Sequence, residues 1–158
     1  MSVFLGTHQN RLDAKGRVSI PSAFRAALRA RAKSGEPLAI LRPSHLHPCL
    51  EAWPADAFAA LTRPLDEMDI FSEDHDDLAT ALYADAYPFE ADREGRILLP
   101  ESLRAHAGLT DQATFMGLGR TFQIWEPQAA SARRADARLR ARSLTTGRGV
   151  PPATGTPS

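Results

Sequence analysis

Short apolar runs alternate with helix-like tracts along the chain, and glycine or proline separates most of them. The first run, residues 4–12, predicts a strand that leads into a turn. In the tract that starts at Ser22, the residues Phe24, Ala27 and Leu28 fall at i, i+3 and i+4. This spacing predicts a helix with one apolar face, and Ser22 is its predicted N-cap. Further strands are predicted at 17–20, 38–41, 49–53, 86–90, 96–99, 113–118 and 121–125, and further helices at 55–65, from Ser72, at 101–107 and at 128–142.

One pattern occurs twice in the chain, 79 residues apart. It is DAKGRVSIP at Asp13–Pro21 and DREGRILLP at Asp92–Pro100. Both copies keep an aspartate, a glycine three residues later, an arginine directly after the glycine and a closing proline. A helix-like tract follows each proline. A repeat of this length that ends the same way twice indicates one supersecondary unit used twice.

The residue types in each copy predict a tight turn between two strands. A glycine at this place adopts a positive φ without steric cost. An aspartate before the turn can accept hydrogen bonds from backbone N–H groups one to three residues later. The same carboxylate lies four residues before the arginine, and across the turn the two side chains can meet as a bidentate pair. The predicted turn-orienting residues are Asp13, Gly16, Asp92 and Gly95.

The predicted fold class is α+β, with the two copies sharing one core. A two-stranded hairpin with one short helix buries too little surface to be stable alone. Two copies that pack face to face can form a small closed or nearly closed β-barrel with pseudo-twofold symmetry. Such a barrel also removes exposed strand edges.

These residues resemble the swapped-hairpin barrel of the AbrB-like DNA-binding domains. Two copies in one chain, opened by Phe4-Leu-Gly-Thr7 and closed by Phe122-Gln-Ile-Trp125, are similar to the MraZ family over residues 4 to about 130. The resemblance implies a cytoplasmic, nucleoid-associated bacterial transcriptional regulator that forms ring-shaped homo-oligomers. It implies binding to double-stranded DNA with short direct repeats, upstream of the division and cell-wall gene cluster that contains the regulator's own gene. It implies no small-molecule cofactor.

The expected organisation follows from the two copies. We expect a first AbrB-like repeat at residues 7–54, a helical connector at 55–82, a second repeat at 83–126 and a C-terminal helix at 127–142. Residues 143–158 consist mainly of Ser, Thr, Gly and Pro without periodicity, and they predict a disordered tail.

The arginine in each copy is the main candidate for DNA contact. Arg17 and Arg96 are expected on the same barrel face, where arginine can fork onto guanine O6 and N7 or onto phosphate. The alternative is that each arginine only pins its own turn, and the two roles are compatible. Lys15 is a predicted phosphate contact. The second copy has Glu94 at that position, preceded by Arg93, so either the first copy dominates or Arg93 substitutes for Lys15.

Other basic residues are predicted to have no specific role. Arg11, Arg25, Arg29 and Lys33 are expected to form a solvated surface of the first strand and helix. The arginine-rich tract at 133–142 is either a non-specific DNA arm or a soluble terminal helix, and we favour the helix.

Charge is polarised along a chain whose formal net charge is zero. Residues 1–35 hold seven basic residues against one acidic residue, and residues 51–94 hold thirteen acidic against two basic. Such polarity can steer DNA to one face and repel it from another. We expect a cytoplasmic location, because the chain has no apolar run as long as a membrane span and no leader pattern. A single cysteine, Cys49, excludes an internal disulfide and fits a reducing compartment.

The sequence also bears on three other classes of function: a metal protein, an enzyme, and an antitoxin or scaffold. His45, His47 and Cys49 alternate, but prolines interrupt the strand and no fourth ligand is near, so no metal site is predicted. No phosphate-binding glycine loop, nucleophile elbow or HExxH pattern occurs, so no enzyme is predicted. An AbrB-like antitoxin or protein-interaction scaffold remains an alternative. Against it, the second copy fills the region where an antitoxin would carry its toxin-binding tail.

Overall fold

The computed structural model describes residues 3–148, and the chain divides into two compact units, the first ending at Glu126 and the second beginning at Pro127. The fold contains both helices and strands, so the α+β prediction is confirmed. The strands are β1 (Thr7–Arg11), β2 (Arg17–Ser19), β3 (Ala39–Pro43), β4 (Leu50–Trp53), β5 (Tyr87–Phe89), β6 (Arg96–Leu98), β7 (Gln112–Gly117) and β8 (Phe122–Trp125). The helices are α1 (Ser22–Arg31), α2 (Ala55–Thr62), α3 (Glu73–Tyr83), α4 (Glu101–Ala107) and α5 (Pro127–Arg142), with a 3-10 helix at Arg63–Glu67 and a π-helical segment at Ser143–Arg148.

The strands form one six-stranded antiparallel sheet and one two-stranded ribbon. The sheet order is β1-β7-β8-β4-β3-β5, and the ribbon consists of β2 and β6. The first strand of each copy pairs with a strand of the other copy: β1 pairs with β7, and β5 pairs with β3. This exchange is the predicted swapped-hairpin arrangement. The six-stranded sheet does not close on itself.

A local twofold relation connects the two copies. Val18 and Ile97 occupy the same position of the repeated pattern, and they face each other directly in the ribbon. Glu51 of β4 and Gln123 of β8 likewise face each other in the sheet. Both pairs join equivalent strands of the two halves, so each pair lies on the pseudo-twofold axis, as the repeat predicted.

The hydrophobic core draws on both halves of the chain. Phe4, Phe24, Phe115 and Phe122 are fully buried and form a chain of ring contacts with centroid distances from 4.9 to 5.9 Å. The same buried cluster includes core residues from β2 and β6. Because aromatic side chains bury large areas and interlock, the two copies share one core.

The helix ends follow the sequence signals at most positions. The Ser72 hydroxyl accepts a hydrogen bond from the His75 N–H at the start of α3, and Gly108 ends α4 with a φ of 64°. Serine is a preferred N-cap residue, and glycine is the residue that most often ends a helix in the left-handed conformation. The N-cap prediction for Ser22 is wrong: α1 begins at this residue, and Pro21 precedes it without a side-chain cap. No helix within residues 3–148 is both long and apolar enough to cross a membrane.

The unit that begins at Pro127 consists of α5 and the segment after it. Ser143–Arg148, the first part of the tail that the composition predicts to be disordered, is a π-helical segment. The Ser143 hydroxyl donates to the Arg140 carbonyl at 3.0 Å, and the Thr145 hydroxyl donates to the Ala141 carbonyl at 3.0 Å. These bonds satisfy carbonyls that a helix end leaves without partners. Residues 149–158, where disorder was also predicted, lie outside the described residues.

Candidate nucleic-acid interface

The β2–β6 ribbon has a buried face and an outward face. Val18 and Ile97 point into the core and are 1% and 2% exposed. Because side chains alternate along a strand, Arg17 and Arg96 both lie on the opposite face. Leu98, directly opposite Arg17, is 61% exposed there. The structure therefore brings the two predicted arginines together on one outward surface.

The first turn is organised by both oxygens of the Asp13 carboxylate. Its Oδ1 accepts backbone N–H bonds from Lys15 at 2.9 Å and from Arg17 at 2.8 Å. Its Oδ2 accepts a bond from Arg17 Nε at 2.8 Å. The predicted bidentate pair is therefore wrong in detail, because one carboxylate oxygen is already used by the backbone. The aspartate holds Arg17 through its Nε, and the arginine side chain remains 36% exposed.

The second turn repeats this geometry with one addition. Asp92 Oδ1 accepts the N–H groups of Glu94 and Arg96, each at 2.9 Å, and Oδ2 accepts Arg96 Nε at 2.9 Å. In addition, the Glu94 carboxylate pairs with Arg96 Nη2 at 2.7 Å. A ligand anion would have to displace this exposed carboxylate. The two arginines are thus placed alike and are electrostatically unequal.

The same contacts set the protonation of the turns. The pKa of Asp13 is held below its ordinary value, first by the backbone N–H of Arg17 and also by the Arg17 side chain. The pKa of Asp92 is lowered in the same way by Arg96. The pKa of Arg96 is raised by its hydrogen bond to Asp92, with smaller contributions from the charges of Asp92, Glu94 and Asp13. Because Asp13 belongs to the other copy, the two turns influence each other electrostatically.

The lowered pKa of Asp13 predicts the pH range in which the first turn loses the hydrogen bonds to the ionised Asp13 carboxylate. The carboxylate is ionised in both the folded and the unfolded chain above the ordinary value of 3.8, so its contribution to stability is complete there. The contribution is lost only when the pH falls through the lower folded pKa. In an NMR titration we expect the amide signals of Lys15 and Arg17 to shift with a midpoint below 3.8. The Asp13→Asn variant should lack this transition, and a midpoint at or above 3.8 would contradict the assignment.

Two arginines from the helices that follow the closing prolines complete the turns. Arg25 of α1 donates from Nη1 to the Ile20 carbonyl at 2.7 Å and lies against Gly95 of the other copy. Arg104 of α4 donates from Nε to the Leu99 carbonyl at 3.0 Å and lies against Gly16. Each helix therefore supplies a guanidinium group that covers the opposite glycine turn. The prediction that Arg25 belongs to a solvated surface is wrong, because its side chain is partly buried in this contact.

The sequence contained a signal for this pair. Arg25 and Arg104 each lie four residues after the closing proline of their copy, so the repeat extends beyond the nine residues from aspartate to proline.

The glycines of both turns serve two purposes. Gly16 and Gly95 have φ values of 86° and 78°, and a Cβ on either would collide with the opposite arginine.

Replacing Gly95 by alanine is expected to destabilise the fold more than replacing Gly108 by alanine. Both glycines have positive φ, which costs about 1–3 kcal/mol for other residues. Only at Gly95 would the new methyl group also meet a side chain, that of Arg25, whereas Gly108 has open space around it. Urea unfolding of both variants measures the difference. Adding Arg25→Ala to Gly95→Ala should recover part of the loss, and a fully additive double variant would contradict the contact.

Comparison with known proteins agrees with this architecture. The family model described as "MraZ protein, putative antitoxin-like" matches residues 3–80 and 82–136, with one copy of the repeated pattern in each segment. The chain belongs to the MraZ family. The protein named "Transcriptional regulator MraZ" from Gluconacetobacter diazotrophicus is 72% identical over 144 residues, which is 91% of each chain. The protein of the same name from Gluconobacter oxydans is 70% identical over 148 residues, covering 94% of this chain and 90% of the relative. The one from Azorhizobium caulinodans is 42% identical over 144 residues, covering 91% and 90%.

The match of the MraZ model confirms the resemblance that the doubled pattern suggested. The remaining predicted contacts, Lys15 and Arg93, lie at exposed positions in the two turns. They stand at equivalent ends of the ribbon, because each turn leads directly into β2 or β6. This member of the MraZ family therefore carries one basic group beyond the ribbon arginine in each turn, and in the second turn Glu94 is paired with the ribbon arginine Arg96.

The alternating residues after β3 do not converge on a metal site. Cys49 is fully buried, whereas His45 is exposed and bonds through Nδ1 to Arg42 at 3.2 Å. Across residues 3–148 no group of three or more His, Cys, Asp or Glu side chains has an arrangement that could hold a metal ion.

Proposed function

We propose that this chain is a sequence-specific DNA-binding transcriptional regulator that contacts DNA with the outward face of the β2–β6 ribbon. The observation that carries the proposal is the placement of Arg17 and Arg96 on that face, each held by its own turn aspartate. The relatives in the MraZ family are named as transcriptional regulators, which supports the same role.

The proposed contact uses the ribbon as a whole. The major groove of B-DNA admits a two-stranded β-ribbon, and arginine is the side chain that most often forks onto guanine O6 and N7 there. The aspartates hold the arginines through Nε rather than through the terminal nitrogens, and this fixation of the side chains reduces the entropy lost on binding. Lys15 and Arg93 add phosphate contacts, whose affinity falls as salt rises.

The two turns contribute unequally in this proposal. Glu94 occupies a terminal nitrogen of Arg96, so binding DNA through the second turn first requires that ion pair to open. The first turn has Lys15 at the same position and no corresponding carboxylate. We therefore assign the larger share of the DNA affinity to the first copy.

Several protomers acting together would supply the rest of the affinity. Specific protein–DNA interfaces bury about 1,000 Å² or more of protein surface, which is more than one short ribbon offers. A ring-shaped homo-oligomer on short direct repeats would engage several ribbons at once and gain avidity.

The proposed target is the promoter of the division and cell-wall gene cluster that includes the chain's own gene. The proposed location is therefore the cytoplasm, at the nucleoid.

An antitoxin or scaffold role is the second candidate, and the family description itself contains the word antitoxin. That role would require a small partner protein bound at a surface other than the ribbon. Co-purification of one defined small protein in constant ratio would favour it.

A footprint on the DNA upstream of the gene tests the main proposal. We expect protection of several evenly spaced short segments at low salt, with affinity falling steeply at a second, higher salt concentration. A shuffled sequence of the same length is the control and should bind only weakly. Equal affinity for the native and shuffled sequences would contradict sequence-specific binding.

A further inference from the structure

The surface of helix α5 is dominated by positive charge. The helix contains five arginines and one acidic residue, Asp136, and most of its other residues are alanine. Its one large apolar residue, Leu139, is 64% exposed, so the helix presents little apolar surface that could be buried. What α5 can bind therefore depends on how its charges are distributed over its faces.

Two of the arginines are paired within the helix. Arg133 Nη1 lies 4.0 Å and Arg140 Nη2 lies 3.2 Å from the same Asp136 carboxylate oxygen. Ion pairs at i, i+3 and i, i+4 spacing are common on helix surfaces and stabilise a helix slightly. The aspartate partly neutralises this group, which is explained without any further ligand.

The other three arginines form a separate row. Arg134, Arg138 and Arg142 are exposed and follow one another at intervals of four residues. Residues at this spacing lie on one face of a helix, about 6 Å apart along its axis. Within residues 3–148, neither Arg134 nor Arg138 makes an ion pair or a side-chain hydrogen bond. We call these three residues the arginine row.

The arginine row is unfavourable for the helix that carries it. Like charges four residues apart destabilise a helix by about 0.2–0.5 kcal/mol for each pair. The helix dipole favours basic residues only in the last turn, which includes Arg142 but neither Arg134 nor Arg138. An anion with several charges in a line would remove this repulsion and attract all three guanidinium groups at once.

Duplex DNA is the polyanion that suits the arginine row. It carries one phosphate charge per about 1.7 Å of its axis, so the roughly 12 Å between Arg134 and Arg142 correspond to about seven phosphates. Guanidinium groups fork onto phosphate oxygens. Only Glu126 separates β8 from α5 in the chain. Because of this short covalent link, a duplex bound by the ribbon is present at a high effective concentration for the row.

We infer that the arginine row of α5 is a second, sequence-independent DNA contact, in which Arg134, Arg138 and Arg142 bind phosphates. The inference rests on the proposed function for the presence of DNA and adds a contact outside the ribbon. The side chains beside the row are the short ones of Ser131 and Ala135, so phosphates rather than base edges are the expected partners. The row therefore raises the affinity for any duplex, whereas the ribbon discriminates between sequences.

Salt-dependent binding of the full chain to the native operator and to a shuffled duplex tests this contact. The double variant Arg134→Gln with Arg138→Gln should bind both duplexes at least tenfold more weakly at about 0.1 M salt. Its slope of log affinity against log salt should decrease by about two charges for each bound protomer, while the ratio of the two affinities stays unchanged. Glutamine has nearly the helix propensity of arginine, so circular dichroism should show an unchanged helix content.

The paired arginines supply the matched control. Arg133→Gln with Arg140→Gln removes the same charge from the same helix, but from the group that Asp136 neutralises. It should change the affinity and the salt slope by less than half as much.

Four results would overturn the inference. They are equal losses in the two double variants, wild-type affinity and slope in the first, no binding of the wild type to shuffled DNA at low salt, or a loss confined to a duplex RNA of the same sequence, which would indicate an RNA contact instead. The ribbon proposal fails on a different result, which is equal wild-type affinity for native and shuffled DNA. The two failures are therefore distinguishable.

Discussion

Replacing Arg17 by alanine is expected to abolish specific DNA binding while the fold remains intact. A bidentate arginine–guanine contact contributes about 1–3 kcal/mol of discrimination, which corresponds to roughly a 5- to 150-fold loss for each protomer. The loss multiplies where several protomers bind one operator. The fold should survive, because the side chain is 36% exposed and Asp13 keeps its two backbone bonds. Gel shift on the native operator and on a shuffled sequence measures the effect.

Matched variants show which part of the loss belongs to base contact. Arg96→Ala should weaken binding less than Arg17→Ala, because Glu94 already opposes Arg96. Lys15→Ala should lower the affinity for native and shuffled DNA together and reduce the salt slope by about one charge. Arg63→Ala, an exposed arginine of the 3-10 helix far in sequence from both turns, is the control. If Arg17→Ala bound the operator as well as the wild type, the arginine would serve only to pin its turn.

The largest effect on stability is expected from Glu51→Ala. Arg42 is 1% exposed and pairs with Glu51 at 2.6 Å, and its Nη2 donates to the Ala81 carbonyl at 2.8 Å. Removal of one partner from a buried ion pair leaves an uncompensated charge and costs about 3–5 kcal/mol. We therefore expect a loss of this size in the free energy of unfolding, measured by urea denaturation.

The pseudo-twofold symmetry supplies the control for this variant. Glu51 Oε1 accepts from Trp53 Nε1 at 2.9 Å, and its counterpart Gln123 accepts from Trp125 Nε1 at 2.8 Å. Glutamine at position 51 can keep the indole bond and remove only the charge, so Glu51→Gln should cost less than Glu51→Ala. The double variant Arg42→Met with Glu51→Met should lie closer to the wild type, since no buried charge remains. Equal stability of Glu51→Ala and the wild type would contradict a structural role for the pair.

Most of what could be predicted about the fold and the candidate site followed from the repeated turn pattern. Asp13 and Gly16, with their counterparts, predicted the turn geometry because the conformations that glycine and aspartate favour are local properties. The register of β2 against β6 could be anticipated for the same reason: two equal apolar strands that share one core must meet about a twofold axis.

The contacts missed in the sequence depend on tertiary structure. Nothing in the amphipathic spacing of α1 shows that Arg25 crosses to the turn of the other copy, because its neighbour there lies 70 residues away in the chain. Arg42 sits in an apolar strand where a charged residue suggests exposure, yet its partner Glu51 and the Ala81 carbonyl make burial possible. The composition of the tail segment Ser143–Arg148 contains no sign of its hydroxyl bonds back to α5.

The exchange of first strands has a consequence for how the polypeptide is made. β1 emerges from the ribosome early, but its hydrogen-bonding partner β7 lies about a hundred residues later in the chain. The partner of β2, strand β6, is likewise synthesised much later than β2. Pairings so distant in sequence slow folding, because the entropic cost of closing a long loop comes before the strands gain any favourable contact. The strand pairings of the first unit can therefore be complete only after Trp125 has been translated.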